Sequence, residues 1–218
     1  MFDTLIQFDK QLLLAVNGGD SLFMDILIKI LTTATTWIPF YLSLLYMVIR
    51  NSRNMKNVGL VLLCAALCTL IAGGVDDSIV KPMVGRWRPT HDPEIGYLVD
   101  VVNGYRSGKY GFFSAHASNT FSICIFFCLL VRNRIFTCAV VCWSLLNGWT
   151  RLYLGVHFPS DILVGLCWGA LTGTAVYYFY RYLTRDTHLM TYRHVDIDVV
   201  VSVLVMTLVY AVLKALVH

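Results

Sequence analysis

Apolar residues run in blocks along the chain, separated by short polar segments. Six blocks approach the roughly 20 helical residues needed to cross a hydrocarbon layer: Trp37 to Ile49, Val58 to Val75, His116 to Val131, Ile135 to Leu154, Ile162 to Leu183 and Val199 to Val217. They predict an all-α, polytopic membrane helix bundle with about six transmembrane helices. The first block is short, so Pro39 is expected near its start, with the helix borrowing residues from the segment before it. Ahead of it lie two amphipathic stretches. Leu5 to Val16 is interrupted by Gln7, Asp9, Lys10 and Gln11, and Ser21 to Thr33 carries Asp25 and Lys29 on one face. Both suit helices lying in the membrane interface, with Asn17-Gly18-Gly19 breaking the chain between them. No repeat or linker divides the chain, which predicts one domain over 1–218: interfacial helices in 1–33 and a six-helix bundle in 34–218.

Composition agrees with a bilayer setting. Of the 218 residues 57% are hydrophobic and only 14% charged, where an ordinary soluble domain carries about a quarter charged. The formal charge of +4 falls in short loops and forms no basic stripe, which argues against nucleic acid. All seven cysteines lie inside apolar segments, three pairs of them four residues apart, and no spacing suits zinc or a disulfide framework. No cleaved signal is expected at the N-terminus, and neither is an obligate protein partner. Arg50, Arg53 and Lys56, then Arg132 and Arg134, then Arg181, Arg185 and Arg193 mark three loops as cytoplasmic by the positive-inside rule. The alternate loops and both termini then face outward.

Those outward loops hold the unusual chemistry. Lys81-Pro82-Met83-Val84-Gly85-Arg86-Trp87-Arg88-Pro89 begins where the second span ends. Each charged side chain near bilayer depth costs about 2.5–3.5 kcal/mol on insertion scales, so a group of cations there calls for an anion. Phosphate fits, because arginine offers a planar fork of donors and lysine a compact charge. The bland alternative is headgroup anchoring. Phe113-Ser114-Ala115-His116 then stands at the start of the third span, where free amides bind anions. A third segment, Thr150-Arg151 to His157-Phe158-Pro159-Ser160-Asp161, adds an arginine, a second histidine and an acid four residues on. If a helix begins near Pro159, Asp161 can turn back to take the Nδ1 proton of His157 and leave Nε2 free as a nucleophile. Arg86, Tyr105, Arg106 and Lys109 of the first loop are candidates for a second phosphate or a headgroup, or are simply solvated.

Lys81-x6-Arg88-Pro89, Ser114-Ala115-His116 and Arg151-x5-His157-x3-Asp161 together resemble the type 2 phosphatidic acid phosphatase family, whose site is shared with glucose-6-phosphatase and vanadium haloperoxidases. The resemblance implies that His157 attacks phosphorus, that His116 protonates the leaving oxygen and that Asp161 orients His157. It also implies that Lys81, Arg88, Arg151, Ser114 and the backbone amides of Ala115 and His116 hold the phosphoryl oxygens, with no metal and no cofactor. Two positions depart from the family pattern: Phe113-Ser114-Ala115-His116 stands for Pro-Ser-Gly-His, and Thr150 replaces a serine.

The function expected is a lipid phosphatase acting on a phosphomonoester or diphosphate in the bacterial inner membrane, with its site on the periplasmic or outer face. Among substrates, undecaprenyl diphosphate, phosphatidylglycerol phosphate or phosphatidic acid is preferred, because no soluble domain is evident to grip a large saccharide. A lipid A phosphatase, a lipid phosphotransferase and, outside the enzymes, a small anion transporter are the alternatives. A vanadium haloperoxidase is disfavoured because those are large soluble proteins.

Overall fold

The computed structural model describes residues 2–19, 21–184 and 191–217. In chain order the helices are α1 (Phe2–Val16), α2 (Leu22–Thr32), a 3-10 turn (Ala34–Trp37), α3 (Ile38–Asn51), α4 (Met55–Val75), a π-helical stretch (Asp76–Val80), α5 (Lys81–Val84), α6 (Ala115–Val131), α7 (Arg134–Tyr153), α8 (Pro159–Thr184) and α9 (His194–Val217). Among the described residues there is no strand, only an isolated bridge between Trp87 and Tyr110. The all-α class is therefore as expected. Helices begin where a side chain accepts free amide protons of the first turn: Asn54 accepts from Asn57 N at 2.9 Å and Asn133 from Phe136 N at 3.0 Å.

Three helical stretches among the described residues are long and apolar enough to cross a membrane: Met55–Val84, Pro159–Thr184 and His194–Val217. A fourth appears if Leu22–Thr32 and Ala34–Asn51, bent by 68°, count as one span. The count of about six is thus not established by length and composition. Two helices fall short: α6, most of which other helices cover, and α7, which buries polar groups on one face and exposes Ile135 and Leu145 on another. α6 has 17 residues, and α7 turns Ser144, Asn147 and Arg151 into the bundle. A helix surrounded by other helices needs less apolar surface than one facing lipid. The lipid-facing helices expose large apolar side chains instead, such as Leu63 and Leu70 on α4, Leu163 and Leu171 on α8, and Met206 and Leu213 on α9. That apolar outer surface and the spans make this a membrane protein.

α6 and α8 pack closely because α8 presents glycine every fourth residue. A Cβ placed on Gly165, Gly169 or Gly173 would lie 2.8, 2.6 or 2.4 Å from the carbonyl oxygens of Ser114, Ser118 and Ser122. Small residues at this spacing let two helix backbones approach within a membrane. The contact matters for position, since Ser114 caps α6 and Asp161 stands in the first turn of α8. The motif segments therefore meet at one end of the bundle, where Ser114 N donates to Asp161 O at 3.1 Å. At the other end Asn51 donates to Asp196 at 3.0 Å, near the basic turns around Arg53 and Arg132. Arg185, assigned above to the same end, lies outside the described residues.

Two local findings differ from the sequence reading. The second span does not end at Val75: helix continues through Val84, so Lys81 stands on a helix and not in a loop. On α1 the charged residues Asp9 and Lys10 face inward, while Gln7 and Gln11 stay exposed. Asp9 and Lys10 are buried in ion pairs, while Leu5, Phe8 and Leu12 are exposed along one face.

Candidate active site

His157 lies between α7 and α8 and is 2% exposed. Gly155, at φ +63°, makes the turn that leads to it, in a space where a Cβ would lie 2.4 Å from Val99 Cγ1. The imidazole sits between opposite charges. Its Nε2 is 2.8 Å from Arg88 Nη1, and its Nδ1 is 3.5 Å from Asp161 Oδ2. An arginine can only donate, so Nε2 is the acceptor and the ring proton lies on Nδ1, toward the acid. Burial first, then the positive charges of Arg88, Arg151 and Lys81, hold this histidine well below its ordinary value of 6.5. The ring is thus neutral, with a lone pair aimed at a guanidinium.

Arg88, 7% exposed, also donates to Val156 O at 2.9 Å. Burial and the neighbouring Arg151 push it below its ordinary value, although an arginine stays charged at any physiological pH. Arg151, 2% exposed, reaches across from α7 and donates to Thr32 Oγ1 at 2.5 Å and to Tyr105 Oη at 3.1 Å. The Nε atoms of both guanidiniums are buried without a hydrogen-bond partner among the described residues. Two like charges held together with donors to spare make an anion-binding arrangement. Lys81 adds a third cation, 2.8 Å from Asp76 Oδ2 and 2.5 Å from Asp77 Oδ1.

Ser114 caps α6, its Oγ accepting from Ala117 N at 3.4 Å and keeping its own proton free to donate. Ala115 and His116 form the first turn above it, and His116 is exposed. Thr150 uses its hydroxyl within its own helix, donating to Asn147 O at 2.7 Å. The three motif segments, separate in sequence, thus converge: His157, Asp161, Arg88, Arg151, Lys81 and the α6 N-terminus surround one place.

The four loop residues considered for headgroup contacts have internal partners. Arg86 is the main difference: Nη1 donates to Asp161 Oδ1 and to Ser160 Oγ at 2.7 Å each, Nη2 donates to Asp9 Oδ2 at 2.6 Å, and the guanidinium lies 4.3 Å from the Phe158 ring centroid. Its partner Asp161 is fully buried, which leaves this arginine little freedom to reach a lipid. Tyr105 holds Arg151, Arg106 donates to Thr90 O at 3.2 Å, and Lys109 stacks 4.3 Å from Trp87.

Residues the sequence reading missed complete the frame. Asp76, fully buried, pairs with Lys81 and accepts from Phe113 N at 3.0 Å. Its signal was visible, since an acid inside an apolar span is a functional candidate by default. Asp9 accepts from Ser160 N at 2.9 Å and from Ser160 Oγ at 2.5 Å. Neither Asp9 nor Thr32 carried a signal, because both contacts are long-range.

Residues 57–185 match the model of the PAP2 superfamily. The chain belongs to this family. The PAP2 region contains all three motif segments, from Lys81 to Asp161. The chain is 38% identical over 186 residues to a lipid A 4′-phosphatase of Bacteroides thetaiotaomicron, covering 84% of this chain and 82% of that protein. It is 32% identical over 183 residues to a lipid A 4′-phosphatase of Porphyromonas gingivalis, covering 82% and 75%. A lipid A 1-phosphatase of Rhizobium johnstonii is 31% identical over a shorter stretch of 103 residues, 47% of this chain and 41% of that protein. No solved structure matches. As a PAP2 protein related to named phosphatases, the chain is a phosphatase of the phosphomonoester hydrolase type.

Proposed function

We propose that this PAP2 protein removes the 4′-phosphate of lipid A, with its site on the periplasmic face of the inner membrane. Two relatives bearing that activity in their names align along more than four-fifths of the chain. This moves the substrate away from undecaprenyl diphosphate and glycerophospholipids, which the apparent lack of a saccharide-binding domain had favoured. Placement of the site at the end opposite the basic turns supports the outward orientation.

The observation that carries the chemistry is the neutral His157 held between Asp161 and Arg88. When a phosphate oxygen accepts the Nη1 hydrogen bond of Arg88, which stays charged, Nε2 loses its partner and faces phosphorus. Nε2 then forms the N–P bond as the bond from phosphorus to the sugar oxygen breaks, and His116 gives that oxygen its proton. Asp161 stabilises the imidazolium through Nδ1. In the second step water attacks phosphorus, His116 takes its proton back, and the N–P bond breaks to release inorganic phosphate. Lys81, Arg88 and Arg151, with Ser114 and the amides of Ala115 and His116, offset the charge on the equatorial oxygens, which is most of what phosphoryl transfer asks of a protein.

The test is phosphate release from purified lipids in detergent: lipid A, undecaprenyl diphosphate, phosphatidylglycerol phosphate and phosphatidic acid. Lipid A is expected to show the highest kcat/KM, and His157→Ala to abolish turnover of every lipid. A higher value for another lipid would replace the substrate assignment. Full activity in His157→Ala would overturn the mechanism.

A further inference from the structure

Beyond the catalytic cluster, a groove of about 510 Å³ runs between α2 and the C-terminal turn of α9, lined by Leu22, Ile26, Ile30, Lys29 and Lys214 together with threonines. A second cavity of about 110 Å³ shares Lys29 and Thr33 with it and is bounded by Thr32, Tyr105 and Leu154. Thr32 and Tyr105 are the two side chains that accept from Arg151. Lys29 thus stands where the two cavities join, one helical turn before Thr32 on the same face of α2. The smaller cavity reaches the two side chains that hold Arg151.

Lys214 lies over the Tyr210 ring, 5.9 Å from its centroid, which leaves the positive charge of the groove uncompensated by any anion among the described residues. Among the described residues no carboxylate lies within ion-pairing distance of Lys29 or Lys214. Asp25, one turn before Lys29, is engaged by the Tyr153 hydroxyl at 2.8 Å. Two unpaired ammonium groups beside an apolar wall suit an amphiphile that brings a second anion alongside its acyl chains.

We propose that this groove binds the second phosphate of a bis-phosphorylated lipid while the phosphate to be cleaved lies at Arg88, Arg151 and His157. Lys29 and Lys214 hold the remote phosphate, and Leu22, Ile26 and Ile30 receive the adjoining acyl chains. The inference rests on the lipid A reading, in which 4′- and 1-phosphates occupy opposite ends of one molecule. It makes Lys29 and Lys214 specificity determinants that never touch the reacting phosphorus.

The experiment compares wild type with the Lys29→Gln/Lys214→Gln double variant on lipid A carrying both phosphates and on its counterpart lacking the 1-phosphate. Both lysines are exposed and without ion-pair partners, so the thermal midpoint should stay near that of wild type. The variant is expected to raise KM for the bis-phosphorylated lipid about tenfold, as befits the loss of two exposed lysine–phosphate pairs, and to change KM for the monophosphorylated lipid less than twofold. Equal rises for both lipids would assign the lysines to general attraction toward an anionic surface and overturn the proposal, as would no change for either. If wild type cleaves neither lipid, the lipid A reading fails, and the groove is then judged by binding. His157→Ala protein retaining the bis-phosphorylated lipid more tightly than the monophosphorylated one, with the difference lost on adding both lysine changes, would support it. Equal retention would sink it.

Discussion

Replacing Arg86 by methionine separates two accounts of that residue. If it contacted lipid headgroups, its loss would raise KM and leave the fold unaffected. In the structure it is instead the shared cation of Asp161 and Asp9, one fully buried and the other nearly so, and it also donates to Ser160. Removing it leaves two carboxylates close together without a counter-charge. Breaking a buried ion pair costs about 3–5 kcal/mol. The Arg86 side chain is 24% exposed, so water offsets part of this, and a destabilisation of about 2–3 kcal/mol is expected. The effect on turnover passes through Asp161, which loses the partner that fixes its carboxylate beside His157. Partners of this kind typically matter by about 10–100-fold, and kcat should fall by that factor with KM changed little. The assays are thermal unfolding in detergent and steady-state phosphate release. Arg86→Lys, which restores the charge but not the fork, should recover stability in part. An Arg86→Met protein with the wild-type midpoint and kcat but raised KM would refute the buried-bridge account.

Gly169→Ala places a Cβ 2.6 Å from Ser118 O, so α6 and α8 must separate by several tenths of an ångström; overpacking of this kind costs about 1–3 kcal/mol, and kcat should fall as His116 moves away from His157. An unchanged midpoint and kcat would show that the helices accommodate the methyl group. If His157 is the nucleophile as proposed, it must be neutral to attack, and since it is held below its ordinary value the acid limb of kcat/KM should lie below pH 6.5. Arg88→Gln should move that limb upward by removing a cation, and a wild-type limb at or above 6.5 would contradict the assignment. If three side-chain cations serve the phosphoryl oxygens as proposed, chelators should leave activity intact; loss of activity in EDTA restored by magnesium would contradict this.

Much of the fold was legible because membrane helices declare themselves by apolar length. The blocks from His116, Ile135, Ile162 and Val199 each correspond to a helix whose ends differ by a few residues, whereas the helix of the block from Val58 runs on to Val84. α4 itself ends at Val75 as expected, but helix runs on through Asp76 and Asp77. Their side chains pair with Lys81, and that lets the helix continue through polar residues. The number of crossings was less legible, because helix faces enclosed by protein escape the demand for apolar surface that lipid imposes.

The sequence alone determined the inventory of the candidate site. Two histidines, an acid four residues after one of them, and Lys81, Arg88 and Arg151 stand at motif spacings that chemistry restricts, and local geometry brings Asp161 back toward His157. Only the tertiary structure decided which partners hold these groups. It assigned Arg86 to Asp161 and Asp9, Arg151 to Thr32 and Tyr105, and Lys81 to Asp76. Spacing along a helix fixes which residues share a face, whereas contacts between α1, α2, α7 and the long loop depend on how whole helices pack. That packing is set by features spread along the chain, such as the glycine row of α8 against the carbonyls of α6.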